Sequence, residues 1–123
     1  MNSKKTTKNI MLLDGNLSFA QKVKSSVDLL GYEITVSNNP ELAVEAIRKR
    51  KFNVVIVDAS LPQFSFREFI EVIKQHDNSV PVLATSDNSD LDLKESALAS
   101  GASDFFLKHF EFDRLLLKIY KLP

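Results

Sequence analysis

The chain has 123 residues, 44% of them hydrophobic and none of them cysteine, which fits one globular domain and excludes disulfide and thiolate chemistry. Its 16 basic and 16 acidic side chains give a formal net charge of zero, so the composition gives no reason to expect a nucleic acid partner. Its three glycines stand far apart, which excludes the glycine-rich loops of nucleotide-binding enzymes.

The first eight residues are mostly polar, and we predict a flexible tail over residues 1–8 followed by a single domain over residues 9–123. This start does not have the apolar core of a signal peptide. No apolar stretch approaches the roughly 18 residues that a membrane span needs. We therefore expect a cytoplasmic protein that does not contact a membrane.

Short apolar runs alternate with segments of helical period through the rest of the chain. The runs show little polar alternation, which predicts strands covered on both faces: Ile10–Leu13, Ile34–Val36, Val54–Val57, Val80–Ala84 and Phe105–Leu107. An apolar stripe with helical spacing follows each run, and the clearest members are Phe19, Val23, Val27 and Leu30, then Leu42, Ala43 and Ile47, then Phe69, Ile70 and Ile73, then Leu91, Ala97 and Leu98, then Phe112, Leu115 and Ile119.

Capping signals support this count of helices. Asn39 and Pro40 have the character of an N-cap and a first helical residue, and Gly31 and Gly101 follow the first and fourth predicted helices as left-handed terminators. Five strand-helix units with right-handed crossovers predict an α/β fold, in which helices cover both faces of a doubly wound five-stranded parallel sheet. In such a sheet a ligand site forms at the carboxyl ends of the strands.

Polar side chains stand at four of these strand ends. The first strand ends at Asp14, the third at Asp58, the fourth at Ser86 and the fifth at Lys108. Either aspartate alone could simply cap the helix that follows it. Together the four residues predict a site where two carboxylates, a hydroxyl and an ammonium group converge.

The segments IMLLDG, VVIVDASLP, PVLATS and GASDFFLK contain these four residues, and they resemble the receiver domain of two-component response regulators over Asn9–Leu122. The resemblance implies the flavodoxin-like (βα)5 fold of the chemotaxis signalling protein, with strand order 2-1-3-4-5. It implies that Asp58 accepts a phosphoryl group from a phosphohistidine. It also implies that Ser86 and Lys108 bind the phosphoryl oxygens, and that Phe105 is an aromatic switch residue that swings inward after phosphorylation.

One departure from the family pattern concerns the metal. Receiver domains usually have two adjacent acidic residues after the first strand, and here Gly15 replaces the second, which is the direct metal ligand in the family. The resemblance leaves Asp14, Asp58 and the backbone carbonyl of Ser60 as ligands for Mg²⁺. With Lys108 included, the pocket has a formal charge of −1. We therefore expect weak Mg²⁺ binding and slow phosphorylation.

Other departures lie in the loops around the predicted site. His109 stands where the family usually has proline, which predicts a trans peptide bond between Lys108 and His109. Two phenylalanines, Phe64 and Phe110, do not fit any helical stripe. They either form an apolar contact surface for a partner or pack locally within their loops, and the sequence leaves both alternatives open.

The leading hypothesis is a phosphoacceptor receiver domain that takes phosphate from a histidine kinase or phosphotransfer protein and signals to a separate effector protein. The alternative is a pseudo-receiver, an interaction module that works without phosphorylation, which Gly15 and His109 favour. A third hypothesis, an aspartate-based phosphohydrolase, is disfavoured because Asp58-Ala59-Ser60 lacks the second acid needed for acid-base catalysis. We expect no enzyme activity beyond self-catalysed phosphotransfer and autodephosphorylation.

Overall fold

The computed structural model describes residues 7–62 and 64–123. Within these ranges five strands alternate with five helices: β1 Asn9–Leu13, α1 Leu17–Leu29, β2 Glu33–Ser37, α2 Pro40–Lys49, β3 Val54–Asp58, α3 Phe66–His76, β4 Val82–Ser86, α4 Leu91–Ala99, β5 Asp104–Leu107 and α5 Phe112–Lys121. The predicted elements are confirmed in number and order. β4 begins at Val82 instead of the predicted Val80, since Pro81 has no N–H group to donate to the sheet.

The strands form one parallel sheet in the order β2-β1-β3-β4-β5, as the resemblance implies. The chain moves outward from β1 to β2 and then returns to β3, so the order reverses between β1 and β3 and leaves a crevice at their carboxyl ends. Leu13 of β1 pairs with Val57 of β3. The next residue of each strand, Asp14 and Asp58, therefore stands beside the other at this crevice.

Helices cover both faces of the sheet, which explains the continuous apolar runs. On one face, α1 and α5 pack against residues such as Ile56, Leu83 and Phe106. On the other face, α2, α3 and α4 pack against residues such as Val57 and Ala84. All five residues of β3 and all five of β4 are buried. In the ranges that the structure describes, no helix has both the length and the apolar character needed to cross a bilayer.

A side-chain cap begins α2, and left-handed glycines follow α1 and α4, at the positions that the sequence predicts. Asn39 accepts hydrogen bonds from the first backbone N–H groups of α2, which begins at Pro40. Gly31 and Gly101 follow α1 and α4 with φ values of 78° and 117°, which only glycine adopts without strain. These three predicted positions are confirmed.

Lys8 is not part of a flexible tail. Its side chain is buried, and its Nζ donates hydrogen bonds to the carbonyl oxygens of Tyr120 at 2.7 Å and Ile119 at 3.1 Å. A cation at this position stabilises the carbonyl groups at the C-terminal end of α5. The predicted tail is therefore wrong at Lys8, and its first six residues lie outside the described ranges.

The apolar stripes overstate burial at four leucines. Leu30, Leu42, Leu91 and Leu98 are 42%, 58%, 66% and 40% exposed. Leu30 lies at the C-cap of α1, beyond its last helical turn. In α2 the buried face is formed by Ala43 and Ile47, and in α4 by Ala97 alone. Short helices that touch the sheet through such a narrow face leave neighbouring leucines in solvent.

Candidate functional site

Two aspartates meet at the carboxyl ends of β1 and β3. Asp14 follows β1 directly and Asp58 is the last residue of β3, and both are buried. Asp14 Oδ1 accepts a hydrogen bond of 2.8 Å from the backbone N–H of Asn16, and the Asn16 side chain in turn caps α1 through Phe19 N–H. The turn that starts α1 therefore orients the Asp14 carboxylate.

The Asp58 carboxylate is held at both of its oxygens. Oδ1 accepts hydrogen bonds from the backbone N–H of Ser60 at 2.9 Å and from Ser60 Oγ at 2.7 Å. Oδ2 accepts a hydrogen bond from Lys108 Nζ at 3.1 Å. One side of Asp58 is thus fixed by the turn after β3, and the other faces a cation.

Lys108 joins the two aspartates. Its Nζ lies 2.8 Å from Asp14 Oδ2 and 3.1 Å from Asp58 Oδ2, and its side chain is only 1% exposed. Burial alone would lower the pKa of Lys108, but the hydrogen bonds and charges of the two carboxylates outweigh it and raise that pKa. Lys108 is therefore a charged ammonium group at neutral pH.

Burial disfavours the charged form of the Asp14 carboxyl group. It therefore raises the pKa of this group, and this effect is only partly opposed by Lys108 and by the Asn16 N–H group. Asp14 Oδ2 is buried and lies 2.8 Å from the Lys108 ammonium, although the contact is poorly directed as a hydrogen bond. A further positive group at this oxygen would have to compete with Lys108.

A short hydrogen-bonded loop delivers Lys108 to the site. The N–H of Leu107 donates to Glu111 Oε1 at 2.9 Å, and the N–H of Glu111 donates to the carbonyl of Leu107, also at 2.9 Å. The N–H of Lys108 bonds the carbonyl of Ser86 and extends the pairing of β4 with β5. The Lys108–His109 peptide bond is trans, as predicted.

Ser86 and Phe105 both lie within the protein interior. Ser86 is fully buried, and its Oγ accepts a hydrogen bond of 3.3 Å from the N–H of Asn88. The Phe105 ring is 4% exposed and belongs to the core beneath α4. Because the ring is already buried, the inward swing expected for Phe105 is not available from this arrangement.

Asp87 was not among the residues predicted for the site. Its Oδ1 lies 4.0 Å from Lys108 Nζ and 3.7 Å from His109 Nε2, and its side chain is half-exposed. The only indication in the sequence is that Asp87 directly follows Ser86, the last residue of β4.

The site offers an incomplete set of oxygen ligands. Among the described residues there is no group of three or more acidic, histidine or cysteine side chains placed to hold a metal ion. The carboxylate oxygens of Asp14 and Asp58, which both contact the Lys108 ammonium, are nevertheless ligands of the type that Mg²⁺ prefers. Gly15 is exposed beside them, and a Cβ there would meet only Leu61 Cδ2, at 3.9 Å. These residues fit a magnesium site that lacks one carboxylate.

The sequence profile of the response regulator receiver domain family matches residues 10–120. The chain belongs to this family. The transcriptional regulatory protein ZraR of Klebsiella oxytoca is 30% identical to it over 90% of the chain. The receiver domain spans only 25% of the length of that regulator.

Solved structures show the same fold. A response regulator from Thermotoga maritima superposes with a TM-score of 0.83 at 27% identity, covering 94% of this receiver domain and 97% of that chain. The receiver domain of a sensor histidine kinase from Pseudomonas aeruginosa, which has a magnesium ion coordinated in its active-site cleft, superposes with a TM-score of 0.77 at 22% identity. That match covers 92% of this receiver domain and 97% of the other chain.

Membership of the family confirms the expected class of function. Receiver domains are signalling modules related to the response regulators of two-component systems, and phosphorylation-dependent signalling fits this chain. The structure brings together Asp14, Asp58 and Lys108 from three different strand ends, with Ser86 at a fourth.

Proposed function

We propose that this receiver domain accepts a phosphoryl group on Asp58 from the phosphohistidine of a histidine kinase or phosphotransfer protein. The observation that carries the proposal is the pair formed by Asp58 and the buried Lys108, at 3.1 Å. Phosphoryl transfer needs an oriented acceptor oxygen and fixed positive charge beside the phosphoryl oxygens. The pair supplies both at the edge of the sheet where a ligand can enter.

In the proposed step, a carboxylate oxygen of Asp58 attacks the phosphorus atom of the phosphohistidine. The new P–O bond gives an acyl phosphate, while the P–N bond breaks and its electron pair leaves with the imidazole of the donor. The attacking group in this step is a carboxylate, so the step does not require a side chain that removes a proton. Lys108 then pairs with one phosphoryl oxygen through a charge-assisted hydrogen bond.

The Ser86 hydroxyl binds a second phosphoryl oxygen in this proposal. In the present structure Ser86 Oγ uses a lone pair to accept the Asn88 N–H, which leaves its own hydrogen free to donate. A shift of Ser86 toward the acyl phosphate moves the loop that leads to α4, because Asn88 is bonded to it. We infer that this movement, together with the Phe105 ring packed under α4, transmits the signal to a separate effector protein.

The proposal includes a weakly bound Mg²⁺ ion, held by Asp14, Asp58 and the backbone carbonyl of Ser60. When bound, the ion neutralises charge on the phosphoryl oxygens during transfer. The two buried carboxylates, which lie at one edge of the sheet next to the exposed Gly15, support this assignment. Binding is weak because Gly15 offers no carboxylate and because the Lys108 ammonium already lies between the two aspartates.

The remaining parts of the proposal follow the sequence expectations. Residues 9–123 form one receiver domain, it acts in the cytoplasm, and its catalytic capacity is limited to self-catalysed phosphotransfer and autodephosphorylation. The pseudo-receiver alternative is not favoured, because Asp58, Ser86 and Lys108 all occupy the strand ends that phosphoryl transfer requires.

The proposal is tested by incubating the protein with acetyl phosphate and Mg²⁺ and measuring its intact mass. The expected result is one added phosphoryl group that is lost in Asp58→Asn. Asp77→Asn is a matched control, since Asp77 lies at the other end of the sheet beyond α3 and should leave the adduct unchanged. Absence of an adduct at every Mg²⁺ concentration, or its persistence in Asp58→Asn, would refute the proposal.

A further inference from the structure

Three carboxylates, not two, surround the Lys108 ammonium. Its Nζ lies 2.8 Å from Asp14 Oδ2, 3.1 Å from Asp58 Oδ2 and 4.0 Å from Asp87 Oδ1. An ammonium group has three N–H donors, which is enough for one hydrogen bond to each acid. In the present structure the 4.0 Å contact with Asp87 is too long for a hydrogen bond. Asp14 and Asp58 are buried, whereas the Asp87 side chain is 52% exposed at the rim of the site.

The position of Lys108 creates a problem for cation binding. A divalent ion that takes its oxygens from Asp14 and Asp58 must compete with the ammonium that already contacts both. Lys108 is 1% exposed, so releasing its charge into the interior without a partner would carry a large desolvation penalty. The ammonium therefore needs another anion close by.

Asp87 meets this requirement in distance and in charge. The Lys108 side chain needs to move its Nζ by only about 1 Å to reach hydrogen-bond distance from Asp87 Oδ1, starting from the present 4.0 Å. The Asp87 carboxylate is at the rim, where it remains accessible when the interior oxygens turn toward a cation. His109 also contacts it, at 3.7 Å, from the same loop that carries Lys108.

Asp87 also changes the charge of the site. Asp14, Asp58 and Lys108 together have a formal charge of −1, and Asp87 brings this to −2. A charge of −2 matches a divalent ion, and it offsets the carboxylate that Gly15 does not provide. Asp87 does not have to be a metal ligand for this effect, in keeping with the absence of a three-acid metal cluster in the described part of the chain.

We propose that Asp87 is the counter-ion that receives the Lys108 ammonium when Mg²⁺ binds Asp14 and Asp58. Asp87 is thus a positioning residue that lowers the cost of displacing the lysine. This inference rests on the proposed function, since it assumes that Mg²⁺ occupies the site. It predicts that loss of the Asp87 charge weakens Mg²⁺ binding although Asp87 does not touch the ion.

The test is a Mg²⁺ titration of the whole chain followed by amide chemical shifts of Gly15 and Ala59. We expect Asp87→Asn to raise the Kd for Mg²⁺ about fivefold, the upper end for a partly exposed charge pair. Asp87→Glu should restore affinity to near the wild-type value. Glu33→Gln is the matched control, because it removes one exposed negative charge at the opposite edge of the sheet, where β2 begins.

Each outcome decides between the alternatives. An unchanged Kd in Asp87→Asn, or an equal loss in Glu33→Gln, would overturn the role of Asp87 while wild-type Mg²⁺ binding and phosphorylation still stood. Failure of the wild-type protein to bind Mg²⁺ would overturn both this inference and the magnesium site of the proposed function. Misfolding is checked in the amide spectrum of each variant, and the half-exposed side chain of Asp87 gives little reason to expect it.

Discussion

Replacing Gly15 with aspartate adds a carboxylate at the position where the receiver family usually has one. The backbone accepts this change, because Gly15 is exposed and is not one of the glycines with positive φ. A Cβ at this position lies 3.9 Å from Leu61 Cδ2, which is an ordinary van der Waals distance. We therefore expect Gly15→Asp to fold normally and to bind Mg²⁺ more tightly.

The size of the effect follows from the charges. Two unit charges 4 Å apart interact by about 1 kcal/mol in water, so a carboxylate and a divalent ion interact by about 2 kcal/mol. Since about 1.4 kcal/mol corresponds to a factor of ten, the expected gain in Mg²⁺ affinity is about 25-fold. The comparison is made at low ionic strength, because salt screens interactions between exposed charges.

The assay is a Mg²⁺ titration followed by the amide shift of Ala59, with Gly15→Asn as the matched control. Asparagine has the shape of aspartate without its charge, so it separates the electrostatic effect from any change in the backbone. Equal Kd values for Gly15→Asp and Gly15→Asn would refute the reasoning. They would mean that position 15 does not face the cation and that its alignment with the family acid is incorrect.

Three further predictions concern residues around the site and at the opposite edge. Phe110→Ala should weaken capture of a phosphohistidine donor without changing the free energy of unfolding, because the ring is 87% exposed. Phe64→Ala should instead lower the free energy of unfolding by about 2 kcal/mol, since its ring packs on Phe69 of α3. Unchanged capture in both variants would exclude a contact surface. Glu111→Ala removes the acceptor of the Leu107 N–H hydrogen bond, which should free the loop that carries Lys108 and slow adduct formation with acetyl phosphate severalfold. Glu111→Gln keeps a side-chain oxygen as acceptor and should react at near the wild-type rate. Equal rates for the two variants would contradict this role. The hydrogen bonds from Ser79 hold the pKa of Asp77 below its usual 3.8. Their stabilising effect is therefore present above about pH 3.8 and is lost as the pH falls through the lower pKa of the folded state. Ser79→Ala should raise the midpoint of the Asp77 carboxyl NMR titration, and an unchanged midpoint would argue against these bonds.

The sequence predicts the sheet better than it predicts the helix surfaces. The strand Val54–Asp58 is buried on both faces, so its first four residues are all apolar and the run is visible without any alternation. The stripe on α2 is less informative, because Leu42 and Ala43 are neighbours and only their packing decides that the alanine is buried. Lys8 shows a further limit, since its partners at the end of α5 lie more than a hundred residues away in sequence.

The site shows the same difference between residues at the ends of buried strands and residues in exposed loops. The ends of buried strands must meet at one edge, so Asp14, Asp58 and Lys108 could be assigned to a common site before any contact was known. Asp87 lies one residue beyond β4 in an exposed loop, where neither burial nor periodicity restricts a side chain. Its distance from Lys108 depends on the path of two loops, and a strand pattern does not specify that path.

The lysine connects the composition of the site to its kinetics. In the proposed site Lys108 orients Asp58 and also competes with Mg²⁺ for it. The glycine at position 15 then has two effects: Mg²⁺ has one carboxylate ligand fewer, and the ammonium has a weaker competitor. We therefore expect the rate of adduct formation with acetyl phosphate to rise with Mg²⁺ and to be half-maximal near the Kd measured by amide shifts, and this concentration should be lower in Gly15→Asp. A rate that is independent of Mg²⁺, or the same half-maximal concentration in both proteins, would contradict this coupling. The proposal requires this competition, because the ammonium already contacts Oδ2 of Asp14 and Oδ2 of Asp58, the two carboxylates assigned to the metal ion.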